Sequence, residues 1–559
     1  MIRLPPFARE HLTVGLLLLI ALSATLAATH VLIFSIPRPY FIALMAATTV
    51  ALGALVFDLF YAPIRDKFYW ELLPNGIILL LFSVAAIRLS TTGFSEDDEI
   101  YSWNVWAIEH YLGLQADFRF TVAPYPQLFS YWLAALYHGL GSVVVQSIPR
   151  FYLAIPTLIV GVSVIGMAKL KTWKSAALGS VIVFIVVAPV IPWYAKGLAD
   201  PLMTAAIALS AWLLVDYSRN TKDLSKLVLA LGCAVIGAVT KQAALVWCCI
   251  SMPIIILVGC WRLQWPRVGL GLVAITVMAS LIWPLWIASS FSDNQGVISA
   301  SMGSRGYLEQ LVYGCTEYLI KRPELFVLLA ASAIASFRVA ILRTFTLFAV
   351  LPMLVIWFLF GAYALRLGAH VLALSGILLM CALYGKNVEV MSESSTASCS
   401  GYFVAAVLFT IYIFAIVGGI AFIAPKIGIN LKDGALSTLQ VQFGQRSTSL
   451  IENILKNKLR VWVTSNYSYG PFFGRVPVGW PDYSIPNYSR ETVKSELIKF
   501  HADYAIYSGE VPMGPASNLL KELAENCPEA LTPVLMPPNQ KGFILYNVNA
   551  IILAEPKCK

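Results

Sequence analysis

Four consecutive carboxylates, Glu96, Asp97, Asp98 and Glu99, lie in the segment FSEDDEIYSWNVWAIEHY that runs from Phe94 to Tyr111. A carboxylate held at the edge of an apolar layer can act as a general base. The same spacing has a plainer use. Ser95 with Asp98 fits a helix N-cap with an acid three residues on, and acids favour a helix's first turn. Ile100, Trp103, Ala107 and Tyr111 would then form one face of a helix lying at a membrane interface. From spacing alone the two readings weigh equally.

Cations recur farther along. WYAKGLADP (193–201) carries Lys196 and Asp200 four apart, GAVTKQAA (237–244) carries Lys241, and ALRLGAH (364–370) carries Arg366 and His370 four apart. Arg grips a phosphate through two N–H groups at once, and Lys acts as a point charge. The first two have ordinary alternatives: a snorkelling Lys, a local Lys196–Asp200 pair or helix cap before Pro201, an interfacial Lys241. The run APYPQLFSYWLAALYHGLG (123–141), with Tyr125, Gln127 and His138, is apolar but interrupted, so it reads as interfacial or re-entrant. His138 there reads as a packed or interfacial histidine rather than a ligand.

The elements that must position these side chains are membrane spans. Of 559 residues, 58% are hydrophobic and 12% charged, against about 25% charged in a soluble domain. A soluble enzyme is excluded, and the fold class is a polytopic all-α membrane protein. A hydrocarbon core of about 30 Å takes about 20 apolar residues per helix. Thirteen candidate spans follow: 12–34, 41–60, 77–89, 151–170, 176–193, 202–215, 227–240, 243–260, 268–288, 325–337, 345–360, 367–383 and 403–423. The first reads as an uncleaved helix because a second follows at once. With the N-terminus cytoplasmic, the cytoplasmic loops hold Arg65 and Lys67, then Lys169, Lys171 and Lys174, then Arg219, Lys222 and Lys226, then Arg262 and Arg267, then Arg338 and Arg343, then Lys386. This is the bias that orients membrane proteins. The net charge of +9 sits mostly in those short loops, so it reports orientation and not nucleic-acid binding.

That topology puts the acid run, Tyr125, Lys196, Asp200, Lys241, Arg366 and His370 at one outer boundary. Ionisable residues at such depths are functional candidates by default. The outer face then carries loops 90–150 and 289–324 and a soluble domain, 425–559, beyond the membrane module 1–424. The tail alternates strand-like runs (459–464, 504–507, 542–546) with helix-like runs (448–456, 490–501, 516–524), as in a small α/β domain. Residues 471–486 read as an irregular loop. Cys527 and Cys558 could pair if the tail faces an oxidising compartment. Trp480, Tyr483, Tyr488 and Tyr467 suit sugar stacking, and Asn466 and Asn487 head Asn-Tyr-Ser triplets. The nine cysteines hold no CxxC pair, so no zinc or redox framework is visible.

In order and spacing these segments resemble the GT-C membrane glycosyltransferases, in the branch of protein O-mannosyltransferases and aminoarabinose–lipid A transferases. Asp98-Glu99 matches that branch's acidic pair. Tyr125-Pro126-Gln127-Leu128 and Tyr131-Trp132-Leu133-Ala134-Ala135-Leu136 match its Pro-rich turn and the run after it. Gly141 and Ile148-Pro149-Arg150 match a Gly and an Arg step, Gly197-Leu198-Ala199-Asp200 an outer Asp, and Gly237-Ala238-Val239-Thr240-Lys241 a Lys step. The similarity covers roughly residues 90–245, and where the branch commonly has a Lys before the Pro-rich turn this chain has Tyr125.

The resemblance implies a polyprenyl-phosphate sugar donor, a lipid, glycan or protein acceptor, and surrounding membrane lipids. Asp98 would be the base, Glu99 its neighbour or a sugar contact, and Asp97 the runner-up. The acceptor hydroxyl would displace the phosphate with inversion. Arg366, Lys241 and Lys196 would steady the leaving phosphate with His370 donating nearby, and Asp200 and Tyr125 would belong to the same binding region. Some members use a divalent metal at the acidic loop, and no other cofactor is implied. A bacterial inner membrane is the expected location, with the tail outside. The alternatives are a transporter or lipid flippase, which would put charge near the bilayer midplane, and a polysaccharide polymerase or ligase using outer cations such as Arg305, Lys321 and Arg322.

Overall fold

The computed structural model describes residues 9–91, 94, 102–114, 125–262, 264–290, 306–361, 364–385, 399–426, 448–464, 472, 475–482, 485, 487–508, 515–535, 543–556 and 558. The predicted base and its neighbours, Asp97, Asp98 and Glu99, lie outside the described residues, as do Glu96 and the Ser95 cap.

Helix α1 spans Arg9–Leu32 and α2 spans Arg38–Arg65, entered at Pro39, whose missing N–H costs nothing in a first turn. After α3 (Tyr69–Thr91) come two helices of the first long loop, α4 (Asn104–Tyr111) and α5 (Leu128–Leu140). The chain continues through α6 (Ser147–Ile165), α7 (Trp173–Tyr194), α8 (Asp200–Arg219), α9 (Leu224–Thr240), α10 (Gln242–Arg262) and α11 (Val268–Ser290). Then follow α12 (Tyr307–Cys315), α13 (Pro323–Ser336), α14 (Ala340–Phe360), α15 (Leu365–Tyr384) and α16 (Cys399–Lys426).

Among the described residues ten of these helices are long and apolar enough to cross a membrane, and the chain is an integral membrane protein. Helices α9 and α13 and the Val404–Ile420 part of α16 are shorter apolar stretches. Each predicted span overlaps one of these segments. At 1.5 Å per residue α5 reaches about 20 Å, short of the roughly 30 Å core. Two π turns, Trp247–Ser251 in α10 and Thr346–Val350 in α14, sit just ahead of Pro253 and Pro352. A proline cannot donate into the helical ladder, and the wider turn absorbs the lost bond.

The centre of the bundle is α8, buried along nearly its whole length against α6, α9 and α15. Small side chains on its surface (Ala205, Ala206, Ala208, Ala211) allow close helix approach, as membrane interfaces favour. Helices α8 and α9 are antiparallel and tied at both ends. At one end Lys226 of α9 pairs with Asp216 of α8 and lies 3.8 Å from Glu10 of α1. At the other end Lys241, which follows α9, pairs with Asp200 of α8.

The tail opens with α17 (Thr448–Lys456), β1 (Val461–Val463), β2 (Val478–Gly479) and α18 (Arg490–Phe500). It closes with β3 (Tyr504–Ser508), α19 (Ala516–Asn526), β4 (Leu531–Leu535), β5 (Phe543–Val548) and α20 (Ala550–Leu553). Its sheet order is β2-β1-β3-β5-β4, with β1 parallel to β2 and β3, and β5 antiparallel to β3 and β4. Alternation sorts the strands' side chains onto two faces. Trp462, Ala505 and Tyr546 face α18 and α19, while Val461, Val463, Ile506 and Leu545 pack with α17. Cys527 and Cys558 form a disulfide. The expected irregular loop 471–486 contains β2, and β4, which matches none of the strand-like runs, lies at the sheet's edge.

Candidate active site

The outer-boundary cations of the sequence reading meet at the ends of helices that are distant in sequence. Asp200 occupies the first turn of α8, where the helix's unpaired N–H groups favour a negative charge, and Pro201 follows it in the same turn, where proline's missing N–H costs nothing. Its carboxylate is fully buried. Lys241 Nζ donates to Asp200 Oδ1 at 2.7 Å. Arg366 Nε lies 3.8 Å from Asp200 Oδ2. A buried charge persists only when paired, so the carboxylate fixes two cations drawn from two other elements.

Each cation is aimed by its backbone. Lys241 leaves α9 in an extended conformation just before the short turn Gln242–Ala244 that starts α10, so its side chain points back at α8. Arg366 belongs to the tight turn Leu365–Gly368 at the head of α15. That turn is held from outside by Trp357, whose Nε1 donates to the Ala364 carbonyl at 3.3 Å. His370, one turn further on, is buried and near Asp200, and its Nδ1 finds no hydrogen-bond partner among the described residues.

Aromatic rings complete the cluster. The Trp193 indole takes Lys196 Nζ at 4.3 Å from its centroid and the Arg366 guanidinium at 5.1 Å. Tyr125 faces Lys241 Nζ at 5.8 Å. Such contacts attract a cation through the ring's electron-rich face. The local Lys196–Asp200 pair is thus one arrangement the spacing suggested, whereas the structure sets Lys196 against Trp193 and gives Asp200 the cations of α9 and α15. Asp200, expected in the binding region, has Lys241 and Arg366 as its charged partners in the fold. Six of the nine candidate residues, Tyr125, Lys196, Asp200, Lys241, Arg366 and His370, lie in this one cluster.

Sequence reasoning did not single out Trp193 and did not weigh Glu109 and His110. Trp193 had one available signal, its place three residues before Lys196 at a span end, where Trp is common for membrane anchoring alone. Every residue of α4 from Asn104 to His110 is buried, so Glu109 and His110 are interior groups on a loop helix. His110 stacks on Tyr131 with centroids 3.9 Å apart, and its Nε2 is 3.2 Å from Gln127 Oε1. Burial pulls its imidazole down to about 4, against the smaller opposing effect of the Gln127 bond. Gln127 Nε2 donates to the Tyr125 carbonyl at 2.8 Å, so α4 is tied to the segment that faces Lys241. His138 packs among His30, Phe41 and Tyr111, as expected of a packed histidine. Among the described residues no three His, Cys, Asp or Glu side chains gather as a metal site.

No protein-family model matches this sequence, and no curated protein matches it. Solved structures do. ArnT from Cupriavidus metallidurans bound to undecaprenyl phosphate is similar with a TM-score of 0.53 at 15% identity, over 87% of this chain and 99% of that one. The same protein in the apo state gives 0.49 at 14% identity, over 88% and 100%. At that identity the likeness to the undecaprenyl-phosphate-bound structure is one of fold, and the chain has an ArnT-like fold.

Proposed function

We propose that this chain is a membrane glycosyltransferase that moves a sugar from a polyprenyl-phosphate donor to an acceptor hydroxyl at the extracytoplasmic face. The observation that carries the reading is the Lys241–Asp200–Arg366 cluster with Lys196 and His370 beside it: three cations and a histidine gathered at helix ends, two of the cations held by one buried carboxylate and two set against the Trp193 ring. A departing lipid phosphate needs such a preorganised positive site. ArnT's fold and its complex with undecaprenyl phosphate support a polyprenyl phosphate as the lipid. Where the resembling branch has a Lys before its Pro-rich turn, Tyr125 stands against Lys241, which suits Lys241 to supply that charge.

In this mechanism Arg366 and Lys241 bind the phosphate, Lys196 adds charge at the rim, and the buried His370 hydrogen-bonds nearby. Asp98 takes the proton of the acceptor hydroxyl as its oxygen attacks the anomeric carbon. The bond to phosphate breaks on the opposite side, so the sugar inverts. Glu99 orients Asp98 or binds a sugar hydroxyl, and Asp97 is the second candidate base. Carboxylate oxygens suit a hard divalent cation, and Asp97, Asp98 and Glu99 are the donors for one within this proposal. Supplying purified protein with labelled polyprenyl-phosphate sugars one at a time, with and without chelator, tests the class, the donor and the metal. Failure to transfer or hydrolyse any of them contradicts the reading.

A further inference from the structure

We infer that the soluble tail is a clamp on α4, and that through α4 it positions Tyr125 and Lys241; the functional half of this inference rests on the transferase reading above. The evidence is how α4 divides its faces. Residues three and four apart share a side of a helix. Trp103, Trp106 and Ala107 lie on one side and pack with the membrane bundle. Val105 lies on the other side and belongs to the hydrophobic cluster of the tail, with Ile451 and Ile454 of α17, Val461 and Val463 of β1 and Ile506 of β3. Glu109, one turn after Val105 on that side, is buried as well.

The second face of the tail sheet is therefore closed partly by a residue some 350 positions earlier in the chain. Helix α4 alone is only eight residues long, too short to be stable in isolation. It is held between two bodies. The path onward is continuous. Trp103 and Trp106 stand 5.3 and 6.4 Å from the Tyr125 ring. His110 bonds Gln127, Gln127 bonds the Tyr125 backbone, and Tyr125 faces Lys241. Loosening Val105 from the tail releases one side of that path, and Val105 is thus a positioning residue.

The test measures polyprenyl phosphate affinity and amide hydrogen exchange on the full chain in detergent. Val105→Ala weakens affinity roughly three- to thirtyfold, the range by which residues along a coupling path act. Val105→Ile, which refills the site, restores it. In a Tyr125→Leu background Val105→Ala adds nothing, a result that general destabilisation would not give. Unchanged affinity in Val105→Ala, equal loss in Val105→Ile, or an undiminished effect in the Tyr125→Leu background overturns the inference. If the unaltered protein binds no polyprenyl phosphate, the transferase reading fails and exchange decides the clamp: Val105→Ala speeds exchange in both α4 and β1, and unchanged exchange in either overturns it.

Discussion

Lys241 Nζ donates to Asp200 Oδ1 at 2.7 Å across 41 residues of sequence, and both side chains are almost wholly buried. The pair closes one end of the antiparallel α8–α9 couple, and Asp200 carries Arg366 on its other oxygen. Breaking a buried pair strands the remaining charge, at about 3–5 kcal/mol. Asp200→Asn should lower the melting midpoint in detergent. Asp200→Asn with Lys241→Met should recover part of the loss, since the second change removes a cation left short of its counter-charge. Additive losses would show that the two side chains do not act as a pair.

Gly368 closes the turn that bears Arg366, and a Cβ placed there would overlap the Trp357 indole. Gly368→Ala should cost about 1–3 kcal/mol, the usual penalty of overpacking. It should also weaken polyprenyl phosphate binding by moving Arg366. Trp357→Leu in the same chain should relieve the overlap. Wild-type affinity in Gly368→Ala would remove the Trp357 wall from the account of how Arg366 is placed.

His110 gives a pH dependence. Its imidazole is neutral in the fold, with a pKa of about 4 against 6.5 for an ordinary histidine. Above pH 6.5 both folded and unfolded chains carry it neutral, so it adds no slope. As pH falls from 6.5 toward 4 the unfolded chain takes up the proton first and stability drops, by about 3 kcal/mol in all. His110→Phe should flatten the fall in melting midpoint between those values while keeping the stack on Tyr131. An unchanged slope would place the proton uptake elsewhere, for instance at His138, which burial also pulls down to about 4.

The Cys527–Cys558 disulfide closes a stretch of 31 residues in the tail. Chain-entropy arguments give such a loop about 3–4 kcal/mol of stability. Reduction, or Cys558→Ser, should make the tail unfold earlier without melting the membrane bundle. In intact cells a membrane-impermeant thiol reagent should label the tail cysteines only after reduction. Labelling that needs the cell to be opened would put the tail on the cytoplasmic side, against the proposed orientation.

Much of the fold was legible because long apolar runs leave a chain few options, and the spans and most tail elements fall where composition and periodicity put them. β4 was illegible for a physical reason: Pro533 sits in it, and proline is tolerated only because β4 is an edge strand. β2 is a two-residue strand, Val478–Gly479, inside a proline-rich loop, with too little pattern to read. At the site, topology alone sent Lys196, Lys241, Arg366 and His370 to one boundary. What spacing could not say was who pairs with whom. Lys196 four residues before Asp200 suggests a local bond, while Asp200 holds partners 41 and 166 residues away. Trp193 gave no sign of Arg366, 173 residues away, and Val105 none of its place in the tail, since both are ordinary residues until the chain is folded.

The most direct test of the account compares Asp98→Asn with the unaltered chain, using whichever labelled polyprenyl-phosphate sugar the latter transfers. The account predicts transfer reduced roughly 10²–10⁴-fold, the range of a lost general base, with polyprenyl phosphate affinity intact because the Asp200 cluster is untouched. Transfer at the unaltered rate would contradict it.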